Sequence, residues 1–156
     1  MPGTPEQNLE LLWNDILEIY DDLHTENRYG SMRMTMFTTK SQPQMKGKAA
    51  EIKDLGPVMV RLWRKYCNPE GEINRKILSI LEGSCHLDDI LAKHVEDVVL
   101  PDAAANDLIG TCFIMFATWY QVWQHFKGLD MPLFGMTGKA HALLHACLLS
   151  KLGLSL

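Results

Sequence analysis

The sequence predicts an all-α fold, a single domain over residues 1–156 with six or seven helices around a central hydrophobic helix at about residues 107–127. Apolar residues recur at three- and four-residue spacing through most of the chain, as on amphipathic helices. Residues 108–126 contain no Asp, Glu, Lys or Arg. One short segment alternates with a period of two, and an isolated strand leaves its backbone groups unpaired.

The length of 156 residues, with 47% hydrophobic and 22% charged residues, is typical of one soluble globular domain. The first 26 residues carry seven acids and no Lys or Arg, the opposite of a secretory signal. Four widely spaced cysteines form no CxxC pair and are expected to be reduced core residues: Cys67, Cys85, Cys112 and Cys147. These features predict a cytoplasmic or nuclear protein.

The first helix is predicted to begin at Thr4, because Thr4, Pro5 and Gln7 match an N-cap, a first-turn proline and a capping box. An irregular or partly extended segment follows at about residues 28–45, with methionines expected to pack on the helices. Gly56-Pro57 predicts a kink or a fresh helix start. Further helices are predicted at 72–82, which would stop at Gly83-Ser84, at about 87–98, and from Thr137 onward.

The central helix is apolar around most of its circumference, which predicts burial. Its one polar line consists of Asp107, Thr111, Thr118, Gln121 and His125. A membrane span is the alternative, since nineteen uncharged residues suffice in length. The polar residues within the run and the absence of a flanking Lys/Arg cluster favour a helix in a protein core, so a membrane partner is not expected.

Charge is unevenly distributed, with a net +7 over residues 28–65 and −11 over the rest. This basic segment predicts a nucleic-acid or anion patch made of Arg33, Lys40, Lys46, Lys48, Arg61, Arg64 and Lys65. Alternatively, these bases complement the acidic first helix and fold against it.

His141 and His145 are one helical turn apart, a spacing that lets both imidazoles reach a single Zn²⁺. Ala142 stands where zinc proteases carry their glutamate base, and a third ligand must come from elsewhere, for which His125 is the favoured candidate. The alternative is that both histidines lie at a core boundary and hydrogen-bond to neighbours such as Gln121.

Catalytic patterns are incomplete. The Gly135–Lys139 stretch lacks the first glycine and the final Ser or Thr of a phosphate-binding loop. Cys85 and His86 are adjacent, so their side chains should point apart. The sequence therefore predicts a non-enzymatic helical binding or scaffold module with an unknown protein partner, with zinc binding and nucleic-acid binding as alternatives.

The segment Lys139-Ala-His141-Ala-Leu143-Leu-His145 resembles the Lys-x-His-x-Leu-x-His segment of transposon-derived open reading frames of eukaryotes. Gly138 replaces the proline that usually precedes the lysine. The resemblance covers about 15 residues and implies descent from a mobile-element protein. No catalytic carboxylate triad accompanies it, so it implies no transposase activity.

Overall fold

A computed structural model describes residues 3–36, 47–131, 133–135, 143, 145 and 147. All regular secondary structure in these residues is helical, which confirms the all-α class. The elements are α1 (Pro5–Asp22), a 3-10 turn (Met34–Met36), α2 (Ala49–Tyr66), α3 (Glu72–Lys93) and α4 (Asp102–Gly128). Leu143, His145 and Cys147 are also helical and are the only described positions of the predicted last helix. The predicted six or seven helices therefore exceed what this part of the chain contains.

The chain divides into two compact units, Met1–Pro69 and Glu70–Leu156. α1, the 3-10 turn and α2 belong to the first unit, and α3 and α4 belong to the second. The organisation of residues 1–156 as a single domain stays a prediction.

α1 begins as the sequence predicts. The Thr4 hydroxyl accepts a hydrogen bond from the Gln7 backbone N–H at 3.3 Å, and the Gln7 side chain accepts one from the Thr4 backbone N–H at 3.0 Å. Pro5 occupies the first turn, where its missing N–H costs no helical hydrogen bond. This capping box satisfies two backbone donors that the helix itself cannot pair.

α2 runs without interruption through Gly56-Pro57, so the predicted break is wrong. An interior proline removes one helical hydrogen bond and costs about 3 kcal/mol. Leu55, Val58 and Leu62 lie on either side of this point and are all buried in one core. Burial of a large aliphatic side chain contributes about 1.5–3 kcal/mol, so three of them outweigh the proline.

α3 runs through Gly83-Ser84, so the predicted helices at 72–82 and 87–98 are one helix at their junction. A Cβ at Gly83 would lie 3.6 Å from the Met115 side chain, which shows how closely α4 approaches there. The Ser84 hydroxyl donates to the Ile80 carbonyl at 3.0 Å, a bond compatible with a continuing helix. α3 ends at Lys93, and Val95 and Val98, predicted to be helical, lie in the following loop and are exposed.

The core of the first unit contains six buried side chains: Ile16, Tyr20, Tyr29, Leu55, Val58 and Leu62. Met32 and Met36 are partly buried and pack against this core from the segment after α1. Arg28 joins that segment to the end of α1, because its guanidinium donates to the Tyr20 carbonyl at 3.0 Å and pairs with Asp21. A cation bound to the last carbonyls of a helix also favours the helix dipole.

In the second unit α3 packs against α4, and this contact defines which face of α4 is buried. The buried residues of α4 are Ala105, Leu108, Cys112, Met115, Phe116 and Val122. Phe113, Ile114 and Tyr120 are 49%, 66% and 49% exposed. The predicted burial around most of the central helix is therefore wrong, because only one face meets α3. Among the helices described, none is both long and apolar enough to cross a membrane.

Candidate functional site

An apolar groove of about 480 Å³ lies between α1 and α2 in the first unit. We call it the α1–α2 groove. Its lining residues are Leu9, Leu12, Ile16, Met32, Leu55, Met59, Leu62, Trp63, Tyr66 and Cys67. Ile16, Leu55 and Leu62 also belong to the buried core, so the groove reaches from the surface down to the core. Binding sites of 300–1,000 Å³ lined mainly by apolar side chains are typical of ligand-binding proteins.

Two salt bridges join α1 to α2 beside the groove. Asp15 pairs with Lys65 at 2.8 Å, and Asp22 pairs with Arg61 at 3.3 Å. Asp15 and Asp22 are seven residues apart and share one side of α1, while Arg61 and Lys65 are four apart and share one side of α2. Each exposed pair contributes little energy, but together they fix the relative register of the two helices.

The Asp15 carboxylate also accepts a hydrogen bond from the hydroxyl of Tyr66, a lining residue of the groove. The bond from Lys65, followed by that from Tyr66, lowers the pKa of Asp15. The same contacts raise the pKa of Lys65 and of Tyr66, because each favours the protonated donor. All three groups therefore keep their paired protonation states across the neutral range, and the Tyr66 ring is held at the groove wall.

Replacing Asp15 by asparagine tests this anchor. The folded-state pKa of Asp15 is lowered, so its stabilising effect is present above the pKa of the unfolded chain and is lost as pH falls through the folded-state value. We expect Asp15→Asn to lower the melting temperature by about 1–3 °C at pH 7 and to have a shrinking effect below about pH 4. Thermal melts from pH 2 to 8 measure this. Glu10→Gln, an amide substitution at an exposed position of α1, should show no such pH-dependent loss.

Cys67 lies at the end of the groove, and burial raises the pKa of its thiol. A raised pKa leaves little thiolate at neutral pH, so Cys67 is a poor nucleophile and contributes to the groove as a small apolar side chain. The groove can thus enclose apolar groups, with the Tyr66 hydroxyl and the Cys67 sulfur at its margin.

The basic segment is split by these contacts. Arg61 and Lys65 pair with acids of α1, as the alternative of complementary charge predicts, and Lys48 lies 3.8 Å from Glu51. Arg33 and Arg64 are exposed, and Lys40 and Lys46 fall outside the described residues. Nucleic-acid or anion binding by this segment stays a prediction.

The histidines predicted to bind zinc are only partly described. His125 is exposed on α4, and its ring meets Phe126 edge-on at 5.3 Å between centroids. His145 is an exposed helical residue, and His141 lies outside the described residues. No group of three or more His, Cys, Asp or Glu side chains able to hold a metal occurs in the part of the chain that the structure describes. Zinc binding by His125, His141 and His145 stays a prediction.

His86 and Cys85 have separate surroundings on α3. His86 Nε2 lies 3.0 Å from a carboxylate oxygen of Asp107, which also accepts a hydrogen bond from Thr111, so the start of the polar line on α4 contacts α3. Burial, then the neighbouring carboxylates Asp88 and Asp89, raises the pKa of the Cys85 thiol. Neither arrangement favours a thiolate nucleophile at Cys85.

The sequence did not predict the groove, although its helical stripes contained most of the lining residues. Leu9, Leu12 and Ile16 were predicted to cover a core, and Met59, Leu62, Trp63 and Tyr66 lie at or beside the predicted stripe of α2. The only available signal was that all these side chains are apolar. Comparison of the sequence with known protein families gives no matching family model, and comparisons with curated proteins and with solved structures give no match either.

Proposed function

We propose that this chain is a non-enzymatic helical binding module whose site is the α1–α2 groove and whose ligand is an amphipathic helix of a partner protein. The observation that carries the proposal is the groove itself, about 480 Å³ of open space against a lining made of apolar and aromatic side chains. Burial of apolar surface is the main source of affinity that such a lining offers.

The dimensions of the groove favour a helix. Leu9 and Ile16 are seven residues apart on α1, which corresponds to roughly 10 Å along the helix axis. A partner helix with apolar side chains at positions i, i+3 or i+4, and i+7 covers the same length. The volume of the groove is sufficient for three such side chains, each of which would fill the space between α1 and α2.

Charge beside the groove suggests the flank of the partner. Glu6 lies one turn before Leu9 on α1 and is exposed, and Glu10 is exposed next to Leu9. A partner helix with Lys or Arg beside its apolar face would meet these carboxylates. Such rim contacts mainly increase the association rate and the specificity, while the apolar side chains supply the affinity.

The experiment uses a labelled peptide of about 16 residues with leucines at i, i+3 and i+7, lysines on its flanks, and a scrambled peptide of equal composition. Fluorescence anisotropy with the full chain measures the dissociation constant. Leu9→Gln should weaken binding about tenfold, because it replaces a side chain that lines the groove. Leu11→Gln is the matched control, since Leu11 lies on the same helix, is 55% exposed and is not part of the lining.

Equal affinity for the scrambled peptide, or equal effects of Leu9→Gln and Leu11→Gln, would show that the groove does not bind helices. Binding of an apolar dye without binding of the ordered peptide would likewise refute a helical partner. A cytoplasmic or nuclear location belongs to the proposal, as does descent from a mobile-element protein, which residues 139–145 suggest.

A further inference from the structure

Two buried thiols meet in the second unit, away from the α1–α2 groove. Cys112 lies on α4 and Cys147 on the helical segment near the C-terminus, and they are 0% and 3% exposed. Their side chains are hydrogen-bonded to each other. Cys67 and Cys85 are each partly exposed. The contact therefore brings together two thiols that are 35 positions apart in the sequence and belong to different elements.

We propose that Cys112 and Cys147 form a redox modification site, at which a peroxide oxidises the two thiols to a disulfide that links the C-terminal helical segment to α4. The hydrogen bond already places the two sulfurs next to each other, so the bond length of about 2 Å requires a small additional approach. The link would join two elements without long-range rearrangement of the chain.

The reaction proceeds in two balanced steps. The thiolate of one cysteine attacks an oxygen of hydrogen peroxide, the O–O bond breaks, and hydroxide leaves with formation of a sulfenic acid. The second thiol then attacks the sulfenic sulfur, the S–O bond breaks, and water leaves as the S–S bond forms. Overall, two thiols lose two electrons and two protons, and one peroxide is reduced to two waters.

Burial determines when this reaction can occur. Burial, followed by the hydrogen bond from Cys112, raises the pKa of Cys147 to about 12, so the closed structure holds very little thiolate. Oxidation then requires brief opening of the C-terminal segment, which exposes both sulfurs to peroxide and to water. The rate of disulfide formation should therefore rise several-fold in urea concentrations too low to unfold the chain.

Peptide mapping identifies the link directly in the full chain. After peroxide treatment and blocking of remaining thiols, trypsin places Cys112 in residues 94–127 and Cys147 in residues 140–151, with Cys85 in 77–93 and Cys67 in 66–75. We expect the first two peptides to be joined before reduction and separate after it. Oxidation should also raise the melting temperature by roughly 5–10 °C.

A Cys67→Ser/Cys85→Ser variant, which changes only the two partly exposed cysteines, should form the same link and show the same shift. Cys147→Ala should show neither. Because Cys147→Ala could also loosen the fold, the wild-type peptide map decides the question. A preferred link to Cys67 or Cys85, or conversion of Cys112 and Cys147 to sulfinic or sulfonic acids without a link, would overturn the proposal.

Discussion

Replacement of Phe116 by alanine is expected to lower the free energy of unfolding by about 3–5 kcal/mol, the usual cost of removing a buried phenylalanine. Phe116 is 7% exposed on the face of α4 that packs toward α3, and its ring stacks on Trp119 at 6.1 Å between centroids. The alanine would leave a cavity that the surrounding helices cannot fill completely. Urea unfolding followed by circular dichroism measures the loss.

Phe113 supplies the matched control, because it is the same residue type three positions earlier on α4 and is 49% exposed. Phe113→Ala removes less buried surface and leaves no enclosed cavity, so it should cost about 1 kcal/mol or less. Equal losses at the two positions would contradict the orientation of α4 and would instead support the burial around the whole helix that its composition suggests.

Gly47→Ala is expected to lower the free energy of unfolding by about 1–3 kcal/mol through overpacking. A Cβ at this position would lie 1.9 Å from the Tyr29 hydroxyl oxygen and 2.5 Å from the ring carbon that carries it. The ring cannot simply swing away, because Tyr29 is 5% exposed within the core of the first unit. Thermal and urea unfolding of the variant test the clash.

Gly110→Ala makes the same chemical change where a Cβ would meet nothing within 4 Å. It should stabilise the chain by up to about 1 kcal/mol, since alanine favours an exposed helix position more than glycine does. Adding Tyr29→Phe to Gly47→Ala should restore part of the loss, because the hydroxyl makes no hydrogen bond within the described structure. No coupling between the two substitutions would place the cost elsewhere.

Local signals in the sequence predicted local structure well. The Thr4 and Gln7 side chains act on backbone groups within one turn, so four letters of sequence contain the whole interaction. The start of the long helix at Asp102, after Pro101, was similarly predictable. The all-α class followed from the same kind of evidence, since helical periodicity is a property of neighbouring residues.

The breaks at Pro57 and Gly83 were mispredicted because their outcome depends on residues far away in the sequence. Pro57 stays within α2 because α1 and Tyr29 complete the core around Leu55 and Val58. Gly83 stays within α3 where Met115 of α4 comes close. A proline or glycine gives a local preference of about 1–3 kcal/mol, and tertiary packing of this size can override it.

The burial of α4 and the groove share another cause of uncertainty. Composition shows that Phe113 and Phe116 are both apolar, but which of them is buried depends on where the neighbouring helix lies. Likewise, the apolar stripe with Leu9 and Ile16 gives no indication that space remains between α1 and α2. The charge pattern was more informative, because acids confined to the first helix and bases in α2 predicted the pairing seen at Asp15 and Asp22.

The pairing of helices that follow one another in the chain also has a consequence for folding speed. α2 packs against α1, and α4 packs against α3, so each interface closes after a connection of 26 residues between the first pair and eight between the second. Short connections lose little loop entropy on closure, and the time needed rises only slowly with length. We therefore expect both helix pairs to form within microseconds to milliseconds, early enough for the first pair to assemble while a ribosome is still synthesising the second.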